Sequence, residues 1–116
     1  MPVERIVPTA SRVVVEIDGT VVADSTTTCV LHETGLPPRY YIPPADVRLD
    51  LLTATDTSTH CPHKGDARYW TAMVGDTDHR DIVWAYEAPI ADAAAIAGLL
   101  SFYPERTTIT VDGTTL

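Results

Sequence analysis

No run of apolar residues in this 116-residue chain approaches the roughly 18 that a membrane-spanning helix requires. The opening residues, MPVERIV, lack the apolar segment of a secretion signal. A membrane partner is therefore not expected, and a cytoplasmic setting follows by default. Positive charge is scarce as well: 8 Lys and Arg stand against 16 Asp and Glu, for a formal charge of -8. No basic stripe offsets that surface, so phosphate backbones are repelled and nucleic acid is not an expected partner. A local cationic pocket for a small anion remains compatible with it. Cysteine is limited to Cys29 and Cys61. A reducing compartment and a chain long enough to bury an ordinary core make both expected free thiols. The P-loop, G-x-G-x-x-G, G-x-S-x-G and H-E-x-x-H templates are all missing, and no cofactor is expected. Asp50, Asp56 and Asp66 have no spacing that singles out a glycosidase-like carboxylate pair.

What is present is an apolar fraction of 45%, normal for a globular chain, and a length that suits one domain, with a core about 12–113. RVVVEI at 12–17, Asp18-Gly19 and TVVAD at 20–24 read as a hairpin, because a type I′ turn needs positive φ at both central positions. TTTCVLHE at 26–33 continues as a strand. Four prolines in GLPPRYYIPPADV, 35–47, predict a rigid loop carrying Tyr40 and Tyr41, with one helical turn at Pro44-Ala45-Asp46. RLDLLTA at 48–54 reads as a strand, 53–59 as a polar turn, and 68–74 and 82–88 as a strand pair. The alanines of ADAAAIAGLLSFY, with Ile96, Leu99, Leu100 and Tyr103 at i, i+3, i+4 and i+7, predict a helix over 91–103 ended by Pro104. TTITVDG at 107–113 closes the chain as a strand. The expected fold class is α+β, predominantly β, a small single domain of antiparallel strands with one helix in its C-terminal half.

The densest chemistry lies in THCPHKGDARYW, 59–70. Cys29 and His32 with Cys61 and His63 are ligand types that zinc prefers. Residues three apart on an extended strand point to opposite faces, however, and Pro62 makes the Cys61–His63 backbone irregular. No metal site is expected. Cys61 is flanked by His60, His63 and Lys64, cations or potential cations of the kind that activate a thiol nucleophile. The turn from Pro62 to Gly65 is also a candidate nest of backbone N–H groups for an anion. Lys64 and Arg68, with Arg39 and Arg48, form a cationic group against an acidic background. Tyr40, Tyr41, Tyr69, Trp70, Trp84 and Tyr86 supply rings. A cleft of rings and cations suits a small anionic or planar ligand.

In order, LHETGLPPRYYIPPADV, THCPHKGDARYW, IVWAYEAPIADAAAIAGLLSFYP and VDG resemble the domain of unknown function family 427. Its motifs run P-x-Y-Y-x-P-x-x-D-V, C-P-x-K-G-x-A-x-Y, W-x-Y-x-x-P and F-Y. They fall here on Pro38, Tyr40, Tyr41, Pro43, Asp46, Val47, Cys61, Pro62, Lys64, Gly65, Ala67, Tyr69, Trp84, Tyr86, Pro89, Phe102 and Tyr103, downstream of Glu33. The resemblance covers about 12–113. It implies a small β-rich cytoplasmic protein without an established activity, in a family sometimes labelled nucleotidyltransferase-like. It also implies a β-tent-like architecture, here without the paired C-x-x-C motifs of zinc-bearing relatives.

The expectation is one cleft binding a small anionic or planar ligand, in a monomer or homodimer. Lys64 fixes the anionic group, and Arg39, Tyr40, Tyr41, Tyr69, Trp84 and Tyr86 enclose the rest. Cys61 or Glu33 is the reactive group if chemistry occurs. The competing expectations are an interaction module in which Cys61, Tyr69 and Trp84 pack solidly with no cavity, and a nucleotidyltransferase-like enzyme.

Overall fold

The structure, a computed structural model, describes residues 3–116. Eleven strands account for most of them: β1 (Val3–Thr9), β2 (Val13–Ile17), β3 (Thr20–Ser25), β4 (Thr28–Glu33), β5 (Arg39–Tyr41), β6 (Leu52–Cys61), β7 (Gly65–Val74), β8 (Thr77–Ala85), β9 (Leu100–Phe102), β10 (Thr108–Val111) and β11 (Thr114–Thr115). They form three antiparallel sheets, ordered β1-β4-β5, β11-β10-β2-β3 and β6-β7-β8-β9. The predominantly β reading of the sequence holds. β1, which caps one edge of β4, was not anticipated.

The β2–β3 hairpin forms where Asp18-Gly19 predicts it, with φ of 49° and 80° at the two turn residues. That is the handedness a type I′ turn requires, and it matches the twist of the flanking strands. Val13, Val15 and Ile17 alternate inward from β2, each at 1% exposure or less. The single helical turn at Pro44–Asp46 is also present, as a 3-10 turn with no side-chain cap.

Two expectations along the chain are corrected. Residues 48–54 are not one strand: Leu49–Leu51 form a 3-10 turn and the strand starts at Leu52. The threonine-rich stretch 53–59, expected as a turn, is the body of the ten-residue edge strand β6. Threonine suits a pleated surface, and β6 lies at the edge of its sheet, so the polarity there reflects solvent rather than a turn.

The larger correction concerns 91–103. Only Ala91–Ile96 are helical, as 3-10 turns interrupted at Ala93. Ala97 turns extended, Gly98 has a φ of 73°, and Leu100–Phe102 become β9, paired with β8 through Val83↔Phe102, Trp84↔Ser101 and Ala85↔Leu100. Leu100 also exchanges two 2.8 Å backbone hydrogen bonds with Ile42. All three residues of β9 are buried, a demand for cover on both faces that no amphipathic helix meets. Tertiary pairing overrides the helix propensity of the alanines.

The strands enclose two apolar clusters. The first is aliphatic: Val13, Val15, Ile17, Val22 and Ile109 from one four-stranded sheet meet Ala72, Val74, Ile82, Val83, Ala85 and Phe102 from the other. The second holds Leu31, Tyr41, Ala67, Trp84, Tyr86, Ala93 and Ile96, with Val3, Ile6, Cys29, Cys61, Tyr69, Leu99 and Tyr103 packed at its margin. Strand alternation divides the aromatics between them. Val83 and Ala85 point into the first cluster, Trp84 and Tyr86 into the second. Among the described residues no helix is long and apolar enough to cross a membrane.

Candidate functional site

The turn Cys61-Pro62-His63-Lys64 closes the β6–β7 hairpin, with the Lys64 N–H donating to the Cys61 carbonyl at 3.1 Å. Gly65 follows with a φ of 120°. A β-carbon there meets the Pro89 Cα at 3.3 Å, the Ala88 carbonyl oxygen at 3.5 Å and the Ile90 nitrogen at 3.5 Å. The Lys64 carbonyl in turn accepts the Ile90 N–H at 2.9 Å. The Lys-Gly pair is thus docked against segment 88–90, and only glycine fits that approach. The Lys64 N–H, one donor of the anion nest expected at Pro62–Gly65, is thus engaged within the turn.

Docking the turn drives the Lys64 side chain inward. Lys64 is the single lysine of the chain, and it is 9% exposed; Glu33, at the end of β4, is 7% exposed. The Lys64 Nζ donates to Glu33 Oε1 at 2.7 Å and lies 5.7 Å from the centre of the Tyr86 ring. A lysine side chain is rarely buried without a partner, because desolvating an ammonium is expensive. Here the carboxylate and the ring face supply partners. An ammonium carries three N–H donors, and among the described residues Glu33 is its only hydrogen-bond acceptor.

The aromatic walls follow from β5, β8 and the exit of β9. The Trp84 Nε1–H donates to the Tyr41 hydroxyl at 3.2 Å, and the two rings meet edge to face at 6.4 Å. Tyr103 lies 4.5 Å from Trp84, tilted by 44°. The Arg39 guanidinium sits 5.5 Å from the Trp84 ring centre, and among the described residues it has no hydrogen bond or ion pair. Burial pushes the Tyr41 and Tyr86 phenols up from their ordinary range. It also raises Tyr103, to about 12, with the Tyr69 phenol adding to the effect. These hydroxyls therefore stay protonated at neutral pH.

Together these residues line a cleft of ≈ 300 Å³, formed by Glu33, Leu36, Arg39, Tyr41, Cys61, Lys64, Tyr69, Trp84, Tyr86 and Tyr103. Of the residues singled out in the sequence, Glu33, Arg39, Tyr41, Cys61, Lys64, Tyr69, Trp84 and Tyr86 meet there. Tyr40 does not: between Arg39 and Tyr41 on β5 it faces the other way, and it packs on the aliphatic cluster. Sequence reasoning missed Leu36 and Tyr103. The F-Y motif carried a signal for Tyr103, but the expected helix over 91–103 hid it.

The other groups of the 59–70 stretch disperse. His60 is exposed and bonds Asp66 through Nδ1 at 2.7 Å, on the outer face of the hairpin. Arg68 pairs with Glu87 at 3.0 Å and covers Trp70, while Arg48 pairs with Asp50. Of the four cations grouped in the sequence, only Lys64 and Arg39 reach the cleft. Cys29 is a free thiol pushed up by burial, and Cys61 is free as well. Among the described residues no three His, Cys, Asp or Glu side chains converge as a metal site. A larger hollow of ≈ 560 Å³ lies beyond β6, lined by Thr55, Asp56, Thr57, Thr71, Asp78 and Arg80. It is polar and holds no aromatic ring, and next to it the Asp81 carboxylate accepts bonds from Thr55 and Thr57 at 2.7 and 2.6 Å.

The pattern of one protein family, described as Domain of unknown function (DUF427), matches residues 5–113, a span that contains every residue of the cleft. No curated protein matches the chain.

Proposed function

The chain belongs to the DUF427 family, and because that description assigns no activity, we propose from the cleft itself that the protein binds a small anionic ligand. One observation carries this reading: the buried Lys64–Glu33 pair in an aromatic cleft, with no second hydrogen-bond acceptor for the ammonium among the described residues. The remaining donors of Lys64 and the Arg39 guanidinium, unpaired among the described residues, take the anionic group. Trp84, Tyr69, Tyr86 and Tyr103 enclose a planar or apolar body. Glu33 holds the ammonium in place and keeps the cleft from carrying a second uncompensated positive charge.

The interaction-module reading requires solid packing around Cys61, Tyr69 and Trp84. All three border open space instead, which favours a ligand. The nucleotidyltransferase-like reading draws on no carboxylate cluster at this site. Catalysis is a separable addition. Its carrier is Cys61, which lines the cleft; Glu33 is engaged by Lys64. Iodoacetamide near pH 7 then alkylates Cys61 ahead of Cys29, whose thiol is held protonated by burial. Equal, slow labelling of both removes a nucleophilic thiol from the reading.

The binding test uses benzoate, a planar monoanion, titrated calorimetrically. Truncating Lys64 alone strands a buried carboxylate and threatens the fold, so the informative variant is Lys64→Met with Glu33→Gln. It is expected to fold and to weaken benzoate at least tenfold. Lys64 is also the only side-chain amine, so its protection from an amine-acylating reagent by benzoate, mapped by peptide mass spectrometry, reads occupancy of the cleft. Benzoate that binds with unchanged affinity to the double variant, or that leaves Lys64 acylation unaltered, overturns the reading.

A further inference from the structure

Arg39, which lines the cleft, also borders a second, apolar groove of ≈ 480 Å³ lined by Pro37, Pro38, Pro104, Glu105 and Leu116. Arg39 is therefore shared by both, with its guanidinium 5.5 Å from the Trp84 ring centre on the cleft side. Both flanks of the junction come from chain that the cleft already uses. Pro37 and Pro38 follow Leu36, and Pro104 follows Tyr103. Proline rings there are rigid, and neither Pro37 nor Pro38 carries a backbone N–H, so they offer contact area without a donor to satisfy. At ≈ 300 Å³ the cleft alone sits at the bottom of the range for small-molecule sites, about 300–1,000 Å³. Cleft and groove together fall well inside it.

Charge narrows the class further. Lys64 and Arg39 against Glu33 leave the cleft one formal positive charge, which a monoanion neutralises and a dianionic phosphate ester exceeds. The free guanidinium fork matches a carboxylate in two parallel hydrogen bonds. Exposed Glu105 borders the groove, so a second negative charge at the far end is disfavoured. Building on the ligand-binding reading above, we infer that the ligand is a monocarboxylate with an extended apolar chain. Its carboxylate lies between Arg39 and Lys64, and its chain runs over Pro37, Pro38 and Pro104.

Calorimetry with acetate, butanoate, hexanoate, octanoate and the neutral octanol tests this on the whole protein, at constant ionic strength. A chain half covered by an apolar groove gains roughly twofold per methylene, so affinity is expected to rise about sixtyfold over the added methylenes from acetate to octanoate. Octanol is expected to bind at least tenfold more weakly than octanoate. Pro38→Asn places an uncharged polar amide in the groove and is expected to flatten the chain-length series while leaving benzoate unchanged. Pro104→Asn does the same at another lining position and stands in should the first fail to fold. Arg39→Gln is expected to weaken every carboxylate about tenfold without altering octanol. A series that is flat in the wild type while benzoate still binds overturns the extended chain and leaves the binding reading standing. Octanoate and octanol binding alike overturns the carboxylate. Loss of benzoate binding together with the whole series overturns both proposals.

Discussion

The two clusters of this molecule use the same strands to opposite ends. The aliphatic cluster packs Val, Ile, Ala and Leu side chains at exposures near zero, and its aliphatic residues bring no side-chain polar atom that needs a partner. The aromatic cluster shares β7 and β8 with it, yet fills with Tyr and Trp, admits an ammonium and a carboxylate, and stays open to solvent at one side. Removing apolar surface from water stabilises the first directly. Desolvating two charges in the second offsets much of what their attraction returns, and a buried ion pair is often no more stable than apolar residues of the same volume. A dry core and a charged, partly open one thus lie side by side on the same strands, held by different physics.

The sharpest test of that contrast is to break the pair. Lys64→Ala or Glu33→Ala leaves one buried charge uncompensated and is expected to lower unfolding stability by about 3–5 kcal/mol. Lys64→Met with Glu33→Leu, which removes both charges, is expected to recover most of it in urea denaturation. Single variants that lose less than the double one would erase the distinction between the clusters. In the aliphatic cluster, Ile82→Ala should destabilise by about 2–5 kcal/mol through lost burial and a residual cavity, with benzoate affinity unchanged in whatever fraction is folded. A matching loss of affinity would mean the two clusters are mechanically one.

A smaller effect separates them at high pH. Of the five tyrosines, Tyr41, Tyr86 and Tyr103 are raised by burial. A raised folded-state value keeps the phenol neutral after its unfolded counterpart, near pH 10, has ionised. The stability it contributes is fully present below about pH 10 and falls as pH rises toward 12. Ultraviolet titration should therefore show three late phenols that ionise with unfolding, and Tyr103→Phe should remove one of them. The smallest effect lies outside both clusters. Asp81 is held below the usual carboxylate range by Thr57 first and Thr55 second. Its contribution is present above about pH 4 and is lost as pH falls further. Thr57→Val should lower stability at pH 7 by about 1 kcal/mol and move acid unfolding to higher pH, with the cleft unaffected.

Much of this was legible because local rules and tertiary demands agree. Asp18-Gly19 dictates its own hairpin, and Cys61-Pro62-His63-Lys64-Gly65 announces a rigid turn between strands. Most of the cleft's membership followed from that turn and from rings at alternate positions, though Leu36 and Tyr103 were missed. Tyr40 was wrongly included, since adjacency to Tyr41 says nothing about which face a strand presents until its register is known. The 91–103 segment failed for a related reason. Alanine content and i, i+3, i+4 spacing describe a helix in isolation, but Leu100–Phe102 are needed on both faces, against Ile42 and against β8. That requirement is set by residues fifteen or more positions away in sequence, so no local window contains it. Lys64 was expected in the cleft, but the docking that holds its turn was not legible, since it depends on Gly65 meeting Pro89.

That last contact has a dynamic consequence. The Ile90 amide is tied to the Lys64 carbonyl at 2.9 Å, so it can exchange its proton with solvent only when the turn lifts from segment 88–90. Its exchange rate is a clock for excursions of the lysine-bearing turn. A ligand that grips the ammonium would slow that clock, at a backbone position it never touches.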